Sequence, residues 1–174
     1  GAGLKYTADN GFAVSTTFNS KGAETTSGLF TDQDQNKLNT QVAYTADNYH
    51  LSATYSSQNG WNSWSYYSTY DLYTGANQIG WGSESTLITT QADALALRAW
   101  WRPDEEGSVL PSISVGFDTI SFSNHANNVT EGSGYFVGFN WTDMFQAQDR
   151  IGIALGQPMK ATKAAKGLFK KNPA

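Results

Sequence analysis

The sequence has few of the histidine and cysteine side chains on which nucleophilic catalysis and metal binding often depend. His50 and His125 are the only two histidines, and the 174 residues contain no cysteine. A catalytic triad or a multi-histidine metal site needs several such side chains at one place, so neither is indicated. Nothing suggests a nucleophile, a base and an oxyanion hole that act together. We therefore expect a protein that is not an enzyme and uses no cofactor.

One short segment, DQDQN, resembles the start of a calcium-binding loop. Asp32, Asp34 and Asn36 occupy alternate positions, as the first ligands of such a loop do. The loop also requires a glycine and a later glutamate, where this chain has Lys37 and Ala43. A solvated loop is the alternative, and we predict no metal site.

Charged residues that alternate with apolar ones are candidates for a wet surface. They are Lys5, Arg98, Asp118 and Arg150. A guanidinium that faced hydrocarbon would be costly, so Arg98 is expected on the polar side of its segment. In a channel these four side chains would line the pore and influence ion selectivity. The alternative is that they pair with one another, as Arg98 can pair with Asp118.

Aromatic residues are most concentrated in the segment WNSWSYYSTYDLY. Trp61, Trp64, Tyr66 and Tyr67 could stack on sugar rings or form the constriction of a pore. They could equally pack this loop against itself or against a neighbouring subunit. The lysine-rich residues 160–174 could bind lipopolysaccharide phosphates or form a solvated loop.

Alternation of apolar and polar residues shows which elements position these side chains. In KLNTQVAYT and YHLSATYS, the apolar or aromatic residues are two or four positions apart and therefore share one face of a strand. Polar or small residues occupy the opposite face. A period of two is typical of β-strands with two unlike faces. Eight such segments of about 8–11 residues surround the turns TADNG, ADN, RPDEEGSV and TDMFQAQD. We therefore predict eight antiparallel strands in four hairpins, with KATKAAKGLFKK as the one candidate helix.

The connections between these hairpins differ from the turns within them. YTADN occurs twice, from Tyr6 and from Tyr44, and each copy places turn-forming Asp and Asn between two strands. The connections SKGAETTSGLFTDQDQN and SNHANNVTEGS, and about thirty residues around the aromatic segment, are longer and rich in Gly, Ser and Asn. We expect short turns at one end of the sheet and long loops at the other.

Three features favour lipid rather than a dry core as the partner of the apolar face. The asymmetry of turns and loops is typical of bacterial transmembrane barrels. Charged residues are only 15% of the chain, against roughly 25% in soluble domains. Aromatic residues flank the short turns, as they do at a membrane interface: Tyr6, Phe12, Tyr44, Tyr49, Trp101 and Trp141. The residues expected to face lipid are Leu51, Leu95, Leu97, Val137 and Ile153.

The later part of the chain resembles the barrel region of cyanobacterial outer-membrane porins. The segments are LRAWWRPDEEGSVLPSISVGFD and GYFVGFNWTDMFQAQDRIGIALGQP, and the hairpin W-x-D-x-F…D-x-I-G-I-A-L-G-Q-P is the most specific part. These proteins belong to the carbohydrate-selective, OprB-type porins, often described as iron-uptake porins. The resemblance implies that residues 1–174 are a segment of an antiparallel transmembrane β-barrel of about sixteen strands, without a second domain.

The resemblance also implies a function and a location. It implies a multi-pass porin of the bacterial outer membrane, a passive diffusion channel for small hydrophilic solutes or inorganic ions. Its partners would be membrane lipid, lipopolysaccharide and further copies of itself, as a trimer. Peptidoglycan would be held by a domain that this chain lacks. The formal net charge of −4 argues against nucleic acid as a partner.

A soluble β-sandwich is the alternative to a porin. Such a protein would bind carbohydrate through the aromatic loop, residues 58–90, and would bury the apolar strand faces in a dry core.

Overall fold

The computed structural model describes residues 1–21, 35–59, 91–104, 109–123, 129–146 and 148–164. These residues form one antiparallel sheet, in which the order of the strands is their order in the sequence. The eight strands are β1 (Ala2–Thr7), β2 (Phe12–Lys21), β3 (Gln35–Thr45), β4 (Tyr49–Asn59), β5 (Gln91–Trp101), β6 (Ser112–Ser123), β7 (Val129–Thr142) and β8 (Arg150–Ala164). In the described part of the chain the edge strands β1 and β8 are not paired with each other, so the sheet is open and is not closed into a barrel.

The prediction of eight antiparallel strands in four hairpins is confirmed, but the strand lengths differ from the expected range. β1 has only 6 residues, whereas β7 has 14 and β8 has 15. The long loop predicted at SNHANNVTEGS is wrong, because β6 and β7 extend until only residues 124–128 separate them. Small and polar residues can continue the hydrogen-bond ladder between two strands even where apolar and polar residues do not alternate. In β7 this continuation includes register irregularities between Val129 and Tyr135.

The candidate helix at KATKAAKGLFKK is also wrong where the structure describes it. Residues 160–164 continue β8, in which Lys160 pairs with Ser133 and Lys163 with Glu131. Pairing with β7 therefore overrides the helix propensity of alanine and lysine, which is only a weak preference. Residues 165–174 lie outside the described part of the chain.

The register between neighbouring strands carries each face unbroken across the sheet. One transverse row is Tyr6, Val14, Val42, Ala53, Leu97, Phe117 and Tyr135, and the next row along the strands is Lys5, Ser15, Gln41, Thr54, Ala96, Asp118 and Gly134. Successive side chains of a strand point to opposite sides, so these rows belong to opposite surfaces. We call the surface of the first row the apolar face and the surface of the second the small-residue face.

Exposure is distributed between the two faces in an unusual way. The buried strand residues Lys37, Ala94, Asp118 and Ile120 all belong to the small-residue face. Every large apolar side chain that the described strands expose belongs to the apolar face: Leu4, Tyr6, Phe12, Leu38, Val42, Tyr44, Tyr49, Leu51, Tyr55, Leu95, Leu97, Trp101, Val115, Phe117, Tyr135, Ile151, Ile153 and Leu155. A sheet packed on a water-excluding core has the opposite distribution.

The five residues predicted to face lipid lie together on the apolar face. Leu51, Leu95, Leu97 and Ile153 are exposed, and Val137 is half-buried. Connections alternate between the two ends of the sheet, since each strand pairs with the next. The strand ends joined within hairpins lie at what we call the short-turn end, and the strand ends joined between hairpins lie at the opposite, long-loop end.

Two aspartates build the turn between β7 and β8. The carboxylate of Asp149 accepts hydrogen bonds from the backbone N–H groups of Met144, Phe145 and Gln146 at 2.8, 3.0 and 3.1 Å. The Asp143 carboxylate accepts one from the N–H of Gln148. Desolvation raises the pKa of Asp149, but the three N–H donors outweigh it and lower the pKa below its ordinary value. The two aspartates of the hairpin motif therefore have a structural role.

Gly11 ties the turn between β1 and β2 to strand β3. Its φ of 86° lies in the left-handed region that favours glycine. Its carbonyl oxygen accepts the N–H of Thr45 at 2.9 Å. A Cβ atom on Gly11 would overlap the carbonyl oxygen of the same threonine. Both the backbone angle and the close approach therefore require glycine.

We expect Gly11→Ala to lower the free energy of unfolding by about 1–3 kcal/mol. Gly138→Ala is the matched control, because its added Cβ would meet no atom closer than 3.9 Å. The control should change stability by about 0.5 kcal/mol or less. Urea titration followed by tryptophan fluorescence measures both variants. Equal losses would show that the tight approach to Thr45 does not limit stability.

Candidate functional site

The four charged residues predicted to line a pore share the small-residue face. Lys5 lies on edge strand β1, and Arg150 begins the opposite edge strand β8. Arg98 on β5 and Asp118 on β6 lie near the middle of the sheet. The structure therefore brings Arg98 and Asp118 together and leaves Lys5 and Arg150 at separate edges.

Arg98 and Asp118 form the ion pair that the sequence indicates as the alternative to pore lining. The Nη2 atom of Arg98 lies 2.7 Å from one carboxylate oxygen of Asp118 and 2.9 Å from the other. The Nη1 atom donates to the carbonyl oxygens of Leu97 at 2.8 Å and Phe117 at 3.2 Å. The guanidinium thus binds side chain and backbone on two neighbouring strands, which fixes its orientation.

The ion pair is buried on its acidic side. The side chain of Asp118 is 3% exposed, and that of Arg98 is 22% exposed. A carboxylate removed from water requires compensating charge and hydrogen bonds, and Arg98 supplies both. Asp118 therefore depends on Arg98, while part of the guanidinium still faces the surroundings.

Phe136 completes this cluster and is not among the residues predicted from the sequence. Phe136 lies opposite Gly116 on the small-residue face, and its ring covers that glycine so closely that a Cβ there would overlap the ring. The Arg98 Cζ atom is 5.8 Å from the ring centroid, within the range of a cation–π contact. The sequence does contain a pattern that distinguishes Phe136. Gly132, Gly134 and Gly138 occupy the same face of β7, and Phe136 is the one aromatic residue among these glycines.

A second aromatic cluster lies on the same face at the short-turn end. His50 stacks on Trp100 with ring centroids 6.0 Å apart and an interplanar angle of 7°. The Arg102 Cζ atom is 5.7 Å from the Trp100 ring, and the guanidinium donates to the Asp47 carbonyl oxygen at 2.6 and 3.0 Å. Arg102 therefore connects the β3–β4 turn to the end of β5.

The His50 ring also meets a hydroxyl group, which raises the question of nucleophilic chemistry. Thr45 Oγ1 and His50 Nδ1 are 2.8 Å apart. A hydroxyl beside an imidazole is part of an activated nucleophile, which also needs a group that orients the base. In the described part of the chain, the contacts of His50 are Thr45 and Trp100, without a carboxylate. This arrangement orients a ring but does not assemble a catalytic triad.

Several predicted site residues lie outside the described residues. These are the aromatic candidates Trp61, Trp64, Tyr66 and Tyr67 and the calcium candidates Asp32 and Asp34. Within residues 1–21, 35–59, 91–104, 109–123, 129–146 and 148–164, no three histidine or acidic side chains come together as a metal site. The same residues contain no helix long and apolar enough to cross a membrane.

Comparisons of this chain with protein-family models, with curated proteins and with solved structures find no match.

We expect Arg98→Ala to destabilise the sheet by roughly 3–5 kcal/mol, because it removes the ion-pair partner of a buried carboxylate. Lys163→Ala is the matched control. Lys163 Nζ lies 2.8 Å from Glu131, but these side chains are 66% and 39% exposed. Water screens such a pair, so the control should cost about 1 kcal/mol or less. Urea unfolding measures both, and a small loss at Arg98 would contradict the role given to the buried pair.

Proposed function

We propose that this chain forms the wall of a membrane channel, an outer-membrane porin that passes small hydrophilic solutes or inorganic ions by passive diffusion. The observation that carries the proposal is the exposed apolar face. It runs across all eight strands, while the charged and small residues share the other face. Hydrocarbon chains on one side and water on the other would suit these two surfaces.

The apolar stretch of a strand is shorter than the apolar band of a membrane barrel but has the same aromatic borders. Along β4 this face presents Tyr49, Leu51, Ala53 and Tyr55, which span about 20 Å at 3.3 Å per residue. The apolar band of outer-membrane barrels is about 25 Å tall and has aromatic girdles at both edges. A tyrosine stands at each end of this stretch, and the Tyr55 hydroxyl donates to Asp93 at 2.7 Å. The polar groups begin where such a girdle would end.

Strand length and turn position support the same proposal. Strands β2 to β8 contain between 10 and 15 residues, and a tilted transmembrane strand needs about 9–11. The aromatic residues Tyr44 and Tyr49 flank the β3–β4 turn with ring centroids 5.8 Å apart. Amphipathic rings beside short turns suit a membrane interface.

The position of Arg98 supports a wet lumen on the small-residue face. An arginine on the lipid face of a barrel costs roughly 2–4 kcal/mol at the midplane. Arg98 is near the middle of the sheet but on the small-residue face, between the exposed Leu97 and the half-buried Ala99 of the other face. A wet lumen would hydrate its exposed part. We also propose outer-membrane lipid and further copies of the chain as partners, in keeping with the resemblance to OprB-type porins.

Lipid contact can be tested with two adjacent tryptophans on opposite faces. Trp101 belongs to the apolar face and Trp100 to the small-residue face. In bilayers with brominated acyl chains, Trp101→Phe should remove part of the emission that these lipids quench. Trp100→Phe should remove emission that they do not quench. The reverse pattern, or a chain that stays in solution and binds sugar, would favour the soluble carbohydrate-binding alternative.

Conduction can be tested with thiol reagents. The 174 residues contain no cysteine, so a reagent reacts only with a cysteine that is introduced. Ser52 and Ala53 are adjacent on β4 and belong to the small-residue and apolar faces, respectively. In planar bilayers, a charged thiol reagent should lower the conductance of Ser52→Cys. The same reagent should leave the conductance of Ala53→Cys unchanged. A response at Ala53 alone would reverse the faces, and no conductance at all would contradict the channel.

A further inference from the structure

A cleft of about 290 Å³ lies on the small-residue face, near the short-turn end of strands β1 to β4. It is separate from the Arg98–Asp118 pair. Ala13 and Ala43 contribute only methyl groups to it, so space remains between the larger side chains around them. Those larger side chains include Lys5, Gln41 and His50.

The lining of this cleft has the chemistry of an anion site. It contains an ammonium group, an amide, an imidazole and several hydroxyl groups, and none of its residues is acidic. Oxygen atoms that carry negative charge form their strongest hydrogen bonds with such donors. A cation would find no carboxylate here to replace its water.

Two walls of the cleft are held in place by their neighbours. The Gln41 amide donates to the Thr54 hydroxyl at 3.0 Å. The His50 ring is held by Thr45 on one side and by its stack on Trp100. Lys5 is exposed at the edge strand and can reach over the opening. The site therefore combines fixed polar walls with one exposed charged side chain.

The charges on the strands of this face also favour an anion, while Asp9 and Asp47 lie in the turns at this end of the sheet. The whole chain has a net charge of −4. On the small-residue face of the described strands, however, Asp118 is the acidic side chain, and Arg98 neutralises it. Lys5 and Arg150 lie on the same face at its two edges. An anion that moves along this face meets more positive than negative charge.

We propose that the cleft is a weak binding site for small hydrated oxyanions, with Lys5 as the charged contact. Water occupies about 30 Å³ per molecule, so the volume accommodates a tetrahedral oxyanion with part of its hydration shell. A hydrated contact permits both entry and release, as a conduction path requires. The place of the site in a solute path rests on the proposed channel function, whereas the binding itself does not.

Inorganic phosphate is the probe that tests this site. Titration of the protein in detergent micelles, followed by the ³¹P line width, should show saturable binding. Lys5→Gln should weaken that binding by about two- to five-fold, and Lys5→Arg should restore most of it. Lys160→Gln is the matched control, with the same change of charge. Lys160 is exposed at the long-loop end and pairs with Ser133, away from the cleft.

The outcomes separate this site from the channel proposal. Binding that is not saturable, or that both lysine variants weaken equally, would overturn the site and indicate only general attraction. Loss of binding in Lys5→Gln alone supports it. Quenching by brominated lipid, measured on the same protein variants in bilayers, reports the membrane face independently. A failed phosphate titration with intact quenching would therefore count against the cleft and not against the channel.

Discussion

The register between neighbouring strands is the constraint on which the rest of this structure depends. Side chains alternate with a period of two, so a slip of one residue between two strands would move every apolar residue of one strand to the other face. Seven successive strand pairs keep the same phase, from Tyr6 on β1 to Tyr135 on β7 and on to Gln157 on β8. The turns help to set this phase. The Gly11 carbonyl oxygen accepts a hydrogen bond from the N–H of Thr45, and the Asp149 carboxylate accepts hydrogen bonds from three backbone N–H groups. The two unlike faces are a consequence of these local structures.

The small-residue face shows how the same register creates a polar cluster. Arg98 reaches diagonally across the β5–β6 ladder to Asp118, because Gly116 lies directly opposite Arg98 and presents no side chain between them. The absence of a side chain at Gly116 also lets the Phe136 ring lie against the backbone of β6. Gly116 thus leaves space for the ion pair toward β5 and for the Phe136 ring toward β7. The resulting cluster ties three neighbouring strands together on the small-residue face.

Much of this arrangement can be predicted from the sequence, because alternation is a local property. The eight strands, the two faces and the pairing of Arg98 with Asp118 all follow from period two and hairpin order. Features that depend on neighbouring strands do not. The extension of β8 through Lys160 is one example, since only the β7 ladder stabilises an extended backbone there. The contact of Phe136 with Gly116 and the reach of Arg102 to Asp47 are others, because each joins strands or turns that are distant in the sequence. Alternation also cannot identify the medium that covers the apolar face.

The sequential order of the strands has a consequence for how the sheet can be assembled. Each strand forms hydrogen bonds only with the strands before and after it in the chain, so no segment must wait for a distant partner. Formation of the ladder can therefore proceed from any hairpin outward, and loop closure is most costly across residues 60–90, between β4 and β5. At every stage the partly formed sheet has two open edges, and each edge is completed by the adjacent part of the same chain. When the sheet grows by neighbouring hairpins, unpaired backbone N–H and C=O groups are limited to its two edge strands.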